Sequence, residues 1–123
     1  MDAERIYTVE EAEASLPELR VVLDRVRSNR QVILRAAERI RGQVAIDGGG
    51  HEGTDYWEAT ASLKADIEVL AERDILLRDP ETGLIDFPGE RDGRRVYLCW
   101  RLGEDHVSHW HDPDSGFGGR KPL

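Results

Sequence analysis

The chain has 123 residues, a formal net charge of −8 and a pI near 5.0. That length is one domain's worth, and the acidic balance opposes non-specific binding to nucleic acid or to an anionic membrane surface. No apolar run approaches the ~20 residues of a membrane span. No apolar leader follows Met1, and the single cysteine, Cys99, excludes an internal disulfide framework, so a cytoplasmic location is expected.

Residues 1–77 carry helical periodicity. Thr8-Val9-Glu10-Glu11 and Ser15-Leu16-Pro17-Glu18 each have the form of a capping box, in which a hydroxyl takes an orphan amide and a glutamate reaches back. Pro17 would then fall in a first turn, where its missing N–H does no harm. The spacing predicts a short helix at about 9–14 and a long one at about 16–41. Leu19, Val26, Ile33 and Ile40 form a seven-residue seam interrupted at Asn29 and Arg30. A polar residue there either fixes register or marks where the helix bends away from its partner.

Residues 42–54, with Gly48-Gly49-Gly50, read as a mobile loop holding a solvated His51. A second helix begins at Asp55-Tyr56-Trp57-Glu58, and Tyr56, Leu63, Leu70 and Leu77 repeat every seven residues. Two such helices make an antiparallel hairpin, and alone they bury a seam poorly. They need a sheet, a second copy of the chain, or both. A homodimer is therefore expected.

From about residue 75 the period becomes two. Residues 84–88 read as a strand ended by Pro88-Gly89. Asp92-Gly93 suits a type I′ hairpin turn, pairing Arg91 with Arg94, Phe87 with Leu98 and Ile85 with Trp100. Gly103-Glu104 suits a type II′ turn, pairing Trp100 with Val107 and Leu98 with His109. One face then collects Ile85, Phe87, Val96, Leu98, Trp100 and Val107 as the core. The other collects Asp86, Tyr97, Cys99, Arg101, His106, Ser108 and Trp110. A one-residue slip at Gly103 would exchange the faces of the last strand. The fold class expected is α+β in a single domain, residues 1–123: a long N-terminal helical hairpin packed on a small C-terminal antiparallel β-meander.

Candidate chemistry concentrates near the C-terminus. His109 and His111, at i and i+2 on a strand, share a face, as two imidazoles binding one divalent metal would, with Asp112, Asp114 or a residue from a neighbouring strand or subunit as a third ligand. The alternative is a pair of hydrogen-bonded histidines at a sheet edge. Cys99 lies opposite Asp86, whose charge raises a thiol's pKa, so it reads as a structural thiol. Ser108 has a His and an Asp nearby, but no nucleophile elbow surrounds it. Residues 16–41 hold seven arginines and a net +4, leaving −12 on the remainder. These arginines spread around the helix, as solvated residues do. The tail from Gly116 to Lys121 either frays or presents amides and a guanidinium to an anion.

The segments Gly83-Leu84-Ile85-Asp86-Phe87-Pro88, Arg91-Asp92-Gly93, Val96-Tyr97-Leu98-Cys99-Trp100, Gly103-Glu104, Trp110-His111, Gly116-Phe117 and Gly119-Arg120 resemble, in order, the bacterial domain of unknown function 2203. Thr8-Val9-Glu10-Glu11-Ala12 and Leu16-Pro17-Glu18-Leu19 are similar to the start of that family. The resemblance implies a small bacterial protein and names no activity. Asp86, Cys99, Trp100, Glu104, Trp110, His111, Gly116 and Arg120 match the family's motif positions; His106 and His109 do not. The family usually offers a glycine where this chain has Arg73-Asp74. The reading is a homodimeric binding or assembly module with a site for an anion, a carboxylate or a protein partner at His111 and Arg120, helped by Asp86, Glu104 and Trp110. The rival is a metal-dependent enzyme or metal-binding protein using His109, His111 and Asp112.

Overall fold

The computed structural model describes residues 3–42 and 50–123. Helix α1 (Val9–Gly42) and helix α2 (Gly50–Glu72) precede strands β1 (Leu76–Asp79), β2 (Leu84–Arg91), β3 (Arg94–Arg101), β4 (His109–His111) and β5 (Lys121–Pro122). The strands form one antiparallel sheet in the order β1-β2-β3-β4-β5.

Only the first capping box acts as one. The Thr8 hydroxyl accepts from the Glu11 amide at 3.0 Å, and Glu11 accepts from the Thr8 amide at 2.9 Å. Those bonds hold the Glu11 carboxyl below its ordinary pKa. Ser15 instead donates back to the Glu11 carbonyl, so the helix runs through Pro17 without a break, and the expected two helices are one. Pro17, the ninth residue of α1, forfeits the bond an amide there would make to the Glu13 carbonyl, and the helix continues past it. Of the expected loop, Gly42 ends α1 and residues 50–54 belong to α2; residues 43–49 lie outside the described residues.

The helices are joined by polar contacts. Arg25 grips Asp66 through two bonds of 2.7 Å, and Asn29 donates to Ser62 at 2.9 Å. The seam break at Asn29 therefore pairs α1 with α2. Helix α2 ends earlier than its seven-residue repeat implies. The Ile75 amide returns to the Leu70 carbonyl and the Asp74 amide to that of Ala71, with Asp74 left-handed at φ 59. This is a Schellman cap, with aspartate where glycine is usual. Leu77 consequently lies in β1 and not in a helix.

The sheet-proximal half of α1 supplies Ala12, Leu16, Leu19, Leu23 and Val26 to the core. They meet Ile85, Phe87, Val96, Leu98 and Trp100 from one face of the sheet. The first hairpin has the expected register, Arg91 opposite Arg94 and Phe87 opposite Leu98. Asp92 and Gly93 take φ 53 and 76, as a type I′ turn requires. Strand β2 continues through Pro88-Gly89 where an end was expected. Strand β1 pairs no further along β2 than Asp86, so Pro88 sits at an open edge. There it needs no donor, and its carbonyl accepts the Tyr7 amide at 2.7 Å.

The second hairpin differs from expectation. The Glu104 amide bonds the Arg101 carbonyl, which places Gly103, φ 105, at the second central position of the turn and not the first. The chain then leaves the sheet and rejoins it at His109. Leu98 pairs with Trp110, Cys99 with His109 and Tyr97 with His111. The faces of the last strand are thereby exchanged. Trp110 turns to the core, while His109 and His111 join Asp86 and Cys99 on the other face. Val107 stays buried, reached from a loop whose amide Glu13 accepts.

Candidate functional site

The face of the sheet turned away from the helices is also buried at its centre, and there it is polar. Asp86 on β2 and Cys99 on β3 are cross-strand partners. His111 on β4 stands two residues further along, opposite Tyr97. Asp86, Cys99 and His111 are 1%, 1% and 2% exposed. One ligating atom from each lies within 4.8 Å of the other two, and this is the sole such group among the described residues.

Hydrogen bonds orient the group. The Asp112 carbonyl can only accept, so His111 Nδ1, 2.8 Å away, carries a proton and donates. Nε2 is left to face Asp86 Oδ2 at 2.9 Å. Arg78 Nε donates to the same Oδ2 at 2.8 Å, and the carboxylate keeps that guanidinium's pKa above its ordinary value. Asp86 Oδ1 is buried and has no hydrogen-bond partner. A buried polar oxygen left without a partner costs about 1–3 kcal/mol. Burial first, then the Asp86 carboxylate, pushes the Cys99 thiol up to about 12, against the pull of Arg120. With nothing else bound, Cys99 is a protonated thiol at neutral pH.

A cavity of about 450 Å³ opens over this group. Its floor is Asp86, Cys99 and His111; Arg78, Leu84 and Phe117 are among its walls. Arg78 reaches it from an irregular point of β1, where the register shifts between Leu77 and Asp79. Such bulges re-aim side chains. The tail forms the other wall. It folds back and does not fray, with a short 3₁₀ turn at Phe117–Gly119 and β5 paired to β4. Phe117 is 41% exposed, with the guanidiniums of Arg101 and Arg120 at 5.3 and 4.7 Å from its ring centre.

Of the residues singled out in the sequence, Asp86 and His111 meet in this site. Arg120 and Glu104 meet each other, Nη2 bonding the two carboxylate oxygens at 2.8 and 2.9 Å, which ties the tail to the Arg101–Glu104 turn. That ion pair gives Arg120 a structural task. Trp110 lies on the core face, where Arg91 and Lys121 cover its ring at 4.9 Å. His109 shares the polar face, but its Nδ1 faces the Ser108 hydroxyl at 3.1 Å. Asp112 is held by Arg94 at 2.9 Å and by Lys121 at 3.6 Å. His109, His111 and Asp112 therefore do not converge.

With that arrangement in view, the family can be stated. The model for an uncharacterized conserved protein family, DUF2203, matches residues 5–123. The chain belongs to that family. No curated protein and no solved structure matches it. Among the described residues, no helix is long and apolar enough to cross a membrane. In this DUF2203 chain, Arg78 is the charged cavity residue that sequence reasoning did not single out, and Cys99, read there as a structural thiol, lines the cavity as well. The pairing of Asp86 with Cys99 was visible in the first hairpin, but the placement of His111 beside them depended on the slip at Gly103.

Proposed function

We propose that this protein binds one divalent transition-metal ion through Asp86, Cys99 and His111, with a further coordination position open to the cavity. The observation that carries the reading is Asp86 Oδ1, a buried carboxylate oxygen without a partner, in a group where one ligating atom each of Asp86, Cys99 and His111 lies within 4.8 Å of the other two. The imidazole supports the reading: its Nδ1–H is held by a backbone carbonyl, the usual outer contact of a metal-bound histidine, which leaves Nε2, now 2.9 Å from Asp86 Oδ2, as the atom to turn to the metal. One sulfur, one nitrogen and one oxygen suit zinc or its neighbours in the first transition row, and suit magnesium or calcium poorly. Three protein ligands with an open position is the pattern of a reactive zinc site; structural sites close with four.

The test is zinc content of untagged protein after equilibration and desalting, for the wild type and for Cys99→Ser and His111→Gln. One zinc per wild-type chain, lost in both variants, is the expected result. A metal-free wild type, or variants that retain the zinc, would refute the reading.

A second reading concerns self-association. The α1 seam buries Leu19 and Val26, but Ile40 is 71% exposed, and Leu34 and Trp57 are exposed as well. We infer that a second copy of the chain covers this far half of the hairpin, giving a homodimer. Light scattering across a concentration series should show twice 13.9 kDa. A monomer throughout the micromolar range would remove this reading and leave the metal site untouched.

A further inference from the structure

The cavity is much larger than a water molecule needs, and its charge balance selects what can fill it. Take the site loaded with a divalent cation, the reading proposed above on which this inference rests. Cys99 is then a thiolate and Asp86 a carboxylate, which together neutralise the ion. Arg78, on the same Asp86 oxygen as His111, adds one positive charge. Glu104 and Arg120 cancel each other in their own pair. Arg78, part-exposed at the side of the cavity, leaves the metal end with a local surplus of one positive charge, while the only other uncompensated charge among the described lining residues, Asp114, lies exposed at the rim. A monoanion at the open position removes the surplus, whereas a neutral ligand leaves it.

The walls set the rest of the ligand. About 450 Å³ exceeds the volume of a hydroxide or a single water many times over. Leu84, Pro113 and the Phe117 ring give part of the wall an apolar character. Arg78, its side chain 43% exposed, stands at the side of the cavity with a guanidinium geometry that suits planar carboxylates. We infer that the open position takes a small organic monocarboxylate: its carboxylate binds the metal within reach of Arg78, and its apolar body lies against Leu84, Pro113 and Phe117. Asp114 on the rim disfavours a second negative charge on the ligand, which argues for a monocarboxylate over a dicarboxylate.

Cobalt(II)-loaded full-length protein gives a direct readout, because its visible bands respond to a change of ligand at the metal. Benzoate, acetate and the neutral isostere benzamide are titrated in turn. Benzoate should shift the bands saturably. Acetate should do so more weakly, for want of an apolar body, and benzamide should not. Arg78→Met should weaken benzoate at least tenfold, and Arg78→Lys, which keeps the charge, should recover part of that loss. Bands that ignore benzoate, or respond equally to benzamide, would overturn the inference while the metal site stands. So would an Arg78→Met variant with unchanged benzoate affinity. Protein that takes up no cobalt would overturn the metal reading, and this inference with it.

Discussion

The two faces of the sheet are buried for different reasons. The face toward the helices holds Ile85, Phe87, Val96, Leu98 and Trp100, each 4% exposed or less, against the apolar stripe of α1. The opposite face holds Asp86, Cys99 and His111 at comparable burial, beneath a tail fixed by Arg120–Glu104 and by β5. On the first face, burial removes hydrocarbon from water and stabilises the fold. On the second it desolvates a carboxylate, strands one of its oxygens and raises a thiol's pKa, so it works against stability. Substitutions on the two faces should therefore separate stability from ligand response.

The largest effect expected is on the helix-facing side. Trp100→Ala removes a fully buried indole whose Nε1 donates to the Glu104 carbonyl at 3.1 Å. It should cost about 3–5 kcal/mol in denaturant unfolding. A loss below about 1 kcal/mol would break the assignment of that face as the core. A milder pair of variants sharpens the contrast. Phe87→Leu should lower stability by roughly 1.5 kcal/mol and leave the rise in melting temperature on adding zinc intact. Cys99→Ser should change the metal-free melting temperature less and abolish that rise. If both variants kept the zinc response, the polar face would not be the metal site.

The pH dependence separates the faces again. In the folded state the Cys99 thiol is pushed up to about 12, whereas in the unfolded chain it ionises near its ordinary value. The unfolded chain gives up that proton first, so rising alkali favours unfolding. The contribution is fully present below about pH 9 and is lost progressively toward pH 12. Metal-free wild type should thus lose stability over that window faster than Cys99→Ser does, in unfolding followed by circular dichroism. Parallel curves would mean that the thiol is not desolvated by the fold.

The smallest effect lies at the junction of helix and sheet, on neither face. Asp74 holds φ 59, and its carboxylate accepts the Arg5 amide at 2.8 Å. Asp74→Gly relieves the left-handed backbone and gives up that bond, for a net gain below about 1 kcal/mol. A marked loss would show that the Arg5 contact, and not the backbone angle, governs the turn.

These elements also show what was legible in the sequence. Asp92-Gly93 allows essentially one tight turn, so the first hairpin, its core face and the Asp86–Cys99 pairing could be read directly. Gly103 can serve either central position of a turn. The choice between them moves His111 from one face to the other, and local residues do not decide it. Trp110 decides it through packing: an indole buried beside Leu98 outweighs a shorter loop. Arg78 was hidden because a bulge has no alternation to read, and the continuity of α1 because Ser15 had a carbonyl to bond as well as an amide to cap.

The central claim is that the polar face is a metal site containing Cys99. X-ray absorption at the zinc edge of stoichiometrically loaded, untagged protein tests it most directly. The account predicts one sulfur at about 2.3 Å, with the remaining neighbours nitrogen or oxygen at roughly 2.0–2.2 Å, and no sulfur in Cys99→Ser. A zinc shell of nitrogen and oxygen alone in the wild type would contradict it.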